Sequence, residues 1–377
     1  MNSTKSVAFY APLKSPDHPS PSGDRTMARL LMKALGRAGF APSLASRLRS
    51  LDKGGEPALQ ESIRKEALAE ADRLVRHYRS LHAAERPCLW FTYHVYYKAP
   101  DWIGPRVADA LNIPYAVAEG SRAAKRAGGP WALGHAGAEA ALDRADAVFV
   151  MTAHDREALA AAKPAHQALV DLPPFIDAGE WPDTPPVPKA PDAASRLLTV
   201  AMMRDGDKLA SYRLLAASLD ELRHRPWTLD IAGDGEARDE IRLLFAPFGE
   251  RIRFHGEVGS KAALKALYES ADLFVWPAVN EAYGMVLLEA QLFGCPVVAG
   301  AFGGVASVVR HNETGLLTPP GDAAAFAQAV AMLLESPDRR ETFAAAARRF
   351  VTAERDLDHA AARLQTALSS LNAVIGA

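Results

Sequence analysis

Short apolar runs recur along this chain, with longer amphipathic stretches between them. In the first half the runs are Ser6–Pro12, Pro87–Tyr93, Pro114–Ala118 and Ala147–Met151. In the second half they are Leu197–Met203, Thr228–Ala232, Arg251–His255, Leu273–Trp276 and Pro296–Ala299. Runs of this length, bounded by polar stretches, read as strands. Between them, Met27–Ala38, Gln60–His82 and Leu214–Arg223 are rich in Ala, Leu and Arg and read as helices. In the tail Leu357–Ala377, the residues Ala361, Leu364, Leu368 and Leu371 fall at helical spacing. Strand–helix alternation of this kind predicts an α/β fold with parallel sheets covered by helices.

The pattern breaks once. Leu172–Asp192 contains LPPF and WPDTPPVPKAP, and proline there removes backbone donors and favours extended chain. The expected organisation is an N-terminal domain over 1–180, a Pro-rich linker over 181–195, a second domain over 196–355 and a closing helix over 356–377. That helix follows the second sheet, so it is placed to pack back on the first domain. A length of 377 residues fits two domains.

Composition adds exclusions. Forty-three basic residues against 45 acidic give a net charge of −2, so no basic footprint argues for nucleic acid. The two cysteines, Cys88 and Cys295, lie near apolar runs and read as small buried hydrophobes, not as a disulfide framework. Val7–Ala11 is too short for a signal peptide and is followed by Pro12 and Lys14. No apolar run approaches the ~18 residues of a spanning helix. A cytoplasmic protein is expected, with peripheral contact at the inner membrane face left open by the basic amphipathic stretch MARLLMKALGR. A helix buried between domains explains that stretch equally well.

Polar residues follow the apolar runs repeatedly: His94, Glu119, Arg204, Asp234, Glu257 and Glu281. All are expected at the carboxyl edge of a sheet, where open α/β folds bind ligands. The richest segment is PAVNEAYGMVLLEAQLFGCPVVAGAFGG, in which seven residues separate Glu281 on a loop from Glu289 on a helix. Two carboxylates there suit the hydroxyls of a sugar or ribose. Gly284 permits close ligand approach, and the amides of Gly284, Met285 and Val286 would open a helix and meet phosphate oxygens. Arg204 and Lys208 stand four residues apart where a strand gives way to a helix. Fixed cations there stabilise the charge that grows on a departing pyrophosphate.

Asp205-Gly206-Asp207 reads as turn chemistry, since the adjacent cations make a metal redundant. In the first half, Gly23 and Asp24 end a Pro/Ser-rich loop (Pro12–Ser22) ahead of a helix, where a glycine can approach a phosphate and the loop can act as a flap or lie unstructured. Tyr96, Tyr97 and Trp102 lie beyond a strand and are candidates to stack on a sugar or aglycone.

The pieces VAMMRDGDK, LDIAGDGE, RFHGEV, ADLFVWPAVNEAYGMVLLEA, GCPVVAGAFGG and TGLLTPPGD run in order over Leu197–Asp322. Together they resemble the retaining glycosyltransferases of family 4 (glycosyltransferase group 1). The first half matches loosely, in strand order and in His94. The resemblance implies a GT-B fold: two Rossmann-like domains with parallel sheets facing a central cleft. It implies a catalytic set of Arg204, Lys208, Glu281 and His94. It places Arg204 and Lys208 on the diphosphate, Glu281 on donor-sugar hydroxyls, Glu289 on ribose, and the backbone of Glu257–Val258 at the nucleobase. Gly23, Asp24, Gly284, Met285 and Val286 complete the donor set, and Glu119, Tyr96, Tyr97 and Trp102 fall on the acceptor side.

Two departures stand out. Glu119-Gly120 occupies the place where the family often has His-Gly, and Ser307 the place of a glutamate after the Gly-Gly turn. The usual N-terminal Gly-Gly is reduced to Gly23. The expected activity is retaining transfer of a sugar from a nucleotide-diphosphate sugar to a glycan, lipid or small-molecule acceptor, with no obligatory metal or other cofactor. A nucleotide-sugar epimerase, a glycoside hydrolase and a non-catalytic nucleotide-sugar-binding protein remain as alternatives.

Overall fold

The computed structural model describes residues 5–185 and 194–375. The chain divides into two compact units, Met1–Pro173 with Leu357–Ala377, and Pro174–Asp356. Of the linker expected over 181–195, residues 186–193 lie outside the described residues. Its first residues belong to the second unit: Lys265 Nζ donates to the carbonyl oxygens of Pro182 (3.0 Å) and Thr184 (2.7 Å).

The first unit runs β1 (Lys5–Tyr10), α1 (Gly23–Arg37), β2 (Phe40–Leu44), α2 (Pro57–Ser80), β3 (Leu89–Val95), α3 (Gly104–Leu111), β4 (Tyr115–Gly120), α4 (Ala132–Arg144), β5 (Ala147–Val150), α5 (Ala153–Ala161) and β6 (Ala168–Asp171). Its six strands are ordered β2-β1-β3-β4-β5-β6, and every pairing is parallel. Strand residues alternate between two buried layers. Phe9, Phe91 and Phe149 stack across one face, with centroids 5.9 and 5.8 Å apart. Ala8, Tyr10, Trp90, Tyr115 and Val148 fill the other, against helices α2, α3 and α4.

The second unit contains β7 (Ser195–Val200), α6 (Asp207–Asp220), β8 (Trp227–Ala232), α7 (Arg238–Phe245), β9 (Ile252–Gly256), α8 (Lys261–Ser270), β10 (Leu273–Trp276), α9 (Met285–Leu292), β11 (Val297–Gly300), β12 (Gly315–Thr318), α10 (Ala323–Glu335) and α11 (Pro337–Glu354). Its order is β12-β11-β10-β7-β8-β9, again with parallel pairings. Leu197, Leu229, Ile231, Val275 and Val298 are fully buried. Tyr212 of α6 meets Trp276 of β10 edge-on, at 5.1 Å between centroids.

The tail forms α12 (Leu357–Ile375). It belongs to the first unit and lies on α1. Ala361, Leu364 and Leu368 are buried there, and Asp358 pairs with Arg37 at 2.7 Å. The stretch 27–37 is therefore not a membrane face. Met27, Ala28, Leu30, Leu31, Ala34 and Leu35 are all buried in the first unit, which leaves α1 no apolar side for lipid. Among the described residues, no helix is long and apolar enough to cross a membrane.

Three strands escape the apolar-run pattern: β2, β6 and β12. Each is the edge of its sheet. β2 and β6 show half-exposed patterns, and β2 carries Pro42. Proline is tolerated at an edge, where one side of the strand makes no ladder.

Candidate functional site

Parallel strands deliver their carboxyl ends to one edge of each sheet, and the polar residues singled out above collect at those edges. Each unit contributes its own cluster.

In the second unit, β7 leads into 201–206, and α6 starts at Asp207 with Gly206 as its cap at a positive φ of 77°. The neighbouring turn after β8 fixes this run. Met203 N donates to Asp234 O at 2.9 Å, and Ala237 N donates to Met203 O at 2.9 Å. Gly233 makes the approach possible: its φ is 143°, and a Cβ there would overlap the carbonyl of Ala201. Arg204 follows, half-buried, and its carbonyl accepts from Leu209 N at 3.0 Å inside the first turn of α6.

Lys208, on that turn, forms an ion pair with Glu281 Oε2. Its ammonium also sits 5.4 Å from the centre of the Trp276 ring, and Trp276 Nε1 donates to the same Glu281 oxygen at 3.4 Å. Both charged side chains are mostly buried, with 26% and 18% of their surface exposed. The loop carrying Glu281 is pinned on both sides. Val279 N donates to Ser211 Oγ (2.9 Å), Asn280 Nδ2 to Asp207 Oδ1 (2.9 Å), and Gly304 N to Ala282 O (2.6 Å). A Cβ at Gly303 would overlap the Glu281 carbonyl, so the Gly-Gly turn shapes this loop. Asp207 is thus engaged in loop support. Among the described residues, no group of three or more His, Cys, Asp or Glu side chains is arranged to hold a metal ion.

α9 begins at Met285, with Gly284 at the cap position in a left-handed conformation (φ 73°) and no side chain capping the helix. The first-turn amides of an α-helix have no intrahelical partner, so the end formed by Gly284, Met285 and Val286 presents donors and positive dipole. Glu289, one turn on, accepts a hydrogen bond from Tyr268 OH at 2.8 Å. Burial pushes its carboxyl above the ordinary value, against the Tyr268 hydrogen bond and the charge of Lys261. Glu257 and Val258 follow β9, Glu257 exposed and Val258 partly so.

In the first unit, His94 and Glu119 are not beyond their strands, as the sequence suggested. They lie inside β3 and β4 and turn left-handed there, with φ of 64° and 59°. His94 Nδ1 lies 3.0 Å from Asp24 Oδ1 and 3.8 Å from Glu119 Oε1. Burial alone would lower the imidazole pKa, but Glu119's charge and the hydrogen bond and charge of Asp24 win, raising it to about 9. Burial likewise pushes Asp24 up, yet the His94 hydrogen bond and charge hold it below the usual carboxylate value. Glu119 is raised by burial despite His94.

Gly23 opens α1, and Ser22 caps it by accepting from Arg25 N at 3.2 Å. The loop before it is held to α1: Arg25 Nη1 donates to the carbonyls of His18 and Pro19 (2.9 Å each), and Arg29 Nε to that of Pro16 (2.8 Å). The loop is therefore an ordered part of the unit. Tyr96 stacks beside His94 at 4.9 Å and meets Tyr97 edge-on at 5.5 Å. Trp102 takes a packing role. It lies against the core, and a Cβ at Gly137 of α4 would strike its indole. Trp276 and Tyr268, each holding one of the two glutamates, were not singled out from the sequence, because both read as ordinary strand and helix apolar positions.

Residues 198–350 match the family described as Glycosyl transferases group 1. A GDP-mannose-dependent alpha-(1-6)-phosphatidylinositol monomannoside mannosyltransferase of Mycobacterium tuberculosis is 31% identical over 244 residues, covering 59% of this chain and 61% of that protein. A D-inositol 3-phosphate glycosyltransferase of Salinispora arenicola is 32% identical over 167 residues, 43% of this chain and 34% of the other. The chain thus spans between a third and three-fifths of these relatives' lengths. Among solved structures, sucrose-phosphate synthase of Thermosynechococcus elongatus aligns over 98% of this chain and 100% of its own, with a TM-score of 0.72 at 21% identity. Anabaena HepE in complex with UDP and glucose aligns over 97% and 100%, with a TM-score of 0.66 at 16% identity. At these identities the likeness establishes the fold, that of the GT-B glycosyltransferases.

Proposed function

From the match of residues 198–350 to the Glycosyl transferases group 1 family, we propose transfer of a sugar from a nucleoside-diphosphate sugar to a hydroxyl acceptor with retention of configuration. The observation that carries this is the Lys208–Glu281 pair on Trp276, set between two helix N-termini. Cations and free amides collect there where a diphosphate would gain charge as its bond to the sugar breaks.

Arg204 and Lys208 neutralise the departing diphosphate, and the amides at Gly284–Val286 take further phosphate oxygens. Glu281 accepts from donor-sugar hydroxyls once a phosphate competes for Lys208. Glu289, oriented by Tyr268, accepts from ribose, and the 257–258 backbone meets the base. The leaving phosphate group and the entering hydroxyl use one face of an oxocarbenium-like centre: the sugar–phosphate bond breaks, the bond to the acceptor oxygen forms, and the hydroxyl proton passes to the departing phosphate. In the first unit, the His94 imidazolium donates to a substrate hydroxyl, and Asp24 and Glu119 keep it protonated. The catalytic set needs no metal, since fixed cations do that work. Hydroxyl-rich acceptors are supported by the names of two relatives, which refer to inositol phosphate and phosphatidylinositol monomannoside.

A glycoside hydrolase needs two carboxylates available as acid and as base or nucleophile. Glu281 is held by Lys208 and Glu289 by Tyr268, which favours the transferase. A thermal-shift screen of nucleotides and nucleotide-sugars tests the reading, because a ligand that binds only the native state raises its stability. Binding of a nucleoside diphosphate that Arg204→Ala abolishes supports the assignment. Near-normal turnover in Arg204→Ala would falsify it, since losing one such donor costs about 2–4 kcal/mol of transition-state stabilisation.

A further inference from the structure

A second cluster lies in the first unit, after β3 and β4. Tyr97 meets Trp131 edge-on at 5.7 Å between centroids. Two cations flank these same rings. The Arg126 guanidinium lies 5.3 Å from the Tyr97 ring centre and 4.8 Å from that of Trp131. Lys98 Nζ lies 5.7 and 5.3 Å from the same two centres. Among the described residues, neither cation has a carboxylate within ion-pair distance, whereas Arg64, Arg106, Arg122, Arg144 and Arg223 each have one. Arg126 Nε is buried and has no hydrogen-bond partner. A buried donor without a partner is costly in a folded protein, and a ligand is one way to satisfy it.

The platform is rigid. Trp131 Nε1 donates to the carbonyl of Asp52 at 3.4 Å. The Asp52 carboxylate is consumed by the amides of Gly54, Gly55 and Glu56 and by Gln60 Nε2, at 2.7–3.1 Å. It therefore cannot neutralise the cations. Gly55 packs against Pro130 and Trp131, and Gly134 against the Tyr97 backbone, both without room for a Cβ. The rings continue through Tyr96 to His94. Aromatic faces polarise a cation without neutralising it, so both charges stay available to an oxyanion.

We infer that Lys98 and Arg126, seated on Tyr97 and Trp131, form a binding site for a phosphate group carried by the acceptor. This rests on the transferase reading for the word acceptor, but the phosphate site stands on the geometry alone. The guanidinium fork and the ammonium supply charge-assisted hydrogen bonds to phosphate oxygens. The aromatic surface of Tyr97 and Trp131 offers apolar contact to the attached polyol. The phosphate has two sources, a soluble polyol phosphate or a lipid headgroup.

The test is calorimetric titration of the full chain with glycerol 3-phosphate, with glycerol as the uncharged control. Sedimentation with phosphatidylcholine vesicles, with and without phosphatidylinositol, runs in parallel. Lys98→Gln and Arg126→Gln should each weaken binding on the order of tenfold. Lys208→Gln should leave it unchanged. Binding of glycerol 3-phosphate identifies a soluble source, and binding only to phosphatidylinositol vesicles identifies a lipid one. Either supports the site. Equal binding in wild type and in Lys98→Gln and Arg126→Gln overturns it, as does weakening confined to Lys208→Gln, or no saturable binding in either arm. If Arg126→Gln melts below wild type, Lys98→Glu serves as the second variant, because it leaves Arg126 and its buried Nε in place. A wild type that binds glycerol 3-phosphate but no nucleotide-sugar would sink the transferase reading and leave this site standing.

Discussion

Glu119 Oε1 lies 3.8 Å from His94 Nδ1, and both residues leave the extended strand conformation for left-handed φ values, 59° and 64°. The two strands are in register around them, with Tyr93 opposite Ala118 and Val95 opposite Gly120. Left-handed backbone is costly for a non-glycine residue, about 1–2 kcal/mol each. Two such residues side by side, at the carboxyl ends of two central strands, are held there by the surrounding ladder. The twist turns a histidine and a glutamate toward Asp24 at the start of α1. A carboxylate thus stands where the resembling family often has a histidine, and it converts the neighbouring His94 into a cation.

The pH dependence of stability follows from that conversion. The groups facing His94 are Glu119, Asp24 and, at longer range, Asp155, and together they raise its pKa to about 9. A histidine raised in the folded state contributes stability that is complete below the unfolded value of about 6.5 and is lost as pH rises through about 9. His94→Gln should therefore flatten the melting temperature between pH 6.5 and 9, removing on the order of 2 kcal/mol of pH-dependent stability. Glu119→Gln should lower the imidazole titration seen by NMR. A histidine that titrates near its ordinary value in the wild type would contradict this account.

Lys208 and Glu281 are each other's main charge partner and share the Trp276 indole. Removing one leaves the other largely buried without compensation, a loss of about 3 kcal/mol in comparable pairs. Lys208→Met and Glu281→Gln should each destabilise the protein, and the double variant should cost less than their sum by about 1–3 kcal/mol. Chemical denaturation of the four proteins closes the cycle. Additive effects would mean that the two side chains do not depend on each other.

Gly303 carries φ of 49° and sits against the carbonyl of Glu281. Gly303→Ala adds a methyl to a left-handed residue with backbone in its path, so strain and overlap act together. We expect a loss of about 2–3 kcal/mol in denaturant titration. Nucleotide binding should weaken with it, because the Glu281 loop is what must move. Gly128→Ala, where a Cβ meets nothing within 4 Å, is the comparison and should be near neutral.

Much of this architecture was legible in the sequence, and the exceptions share a cause. Central strands such as β10, with Leu273, Phe274, Val275 and Trp276 all buried, are bare apolar runs that burial on two faces demands. Edge strands β2 and β6 carry exposed positions and β12 has only Leu316 and Leu317 between Gly315 and Thr318, so none stands out as a run. The glutamates of the site were visible because charge after an apolar run is conspicuous. Their supports were not: Trp276 and Tyr268 look like core, and only the fold shows that one points an indole N–H and the other a hydroxyl at a carboxylate. Lys98, Arg126 and Trp131 were hidden for a related reason. Lys98 lies 28 positions before Arg126 and 33 before Trp131, and their meeting depends on the β3 and β4 turns lying side by side.

Tyr268 lies fully buried between Phe274 and Phe293, stacked on Phe293 at 5.9 Å, with its hydroxyl directed at Glu289. Burial raises the Glu289 carboxyl, and the Tyr268 hydrogen bond is the largest influence opposing it. Tyr268→Phe keeps the packing and deletes that donor, so it should raise the Glu289 pKa further while costing about 1 kcal/mol of stability. A protonated Glu289 offers one fewer acceptor to a ribose hydroxyl. Nucleotide affinity of the variant should therefore fall about three- to tenfold at mildly acidic pH and recover as pH rises and the carboxylate ionises. Titration of a nucleoside diphosphate into wild type and Tyr268→Phe across pH 5 to 8 reads the effect directly. A pH-independent loss would mean that the Tyr268 hydroxyl orients Glu289 without setting its ionisation, and coincident curves for the two proteins would remove Glu289 from the nucleotide.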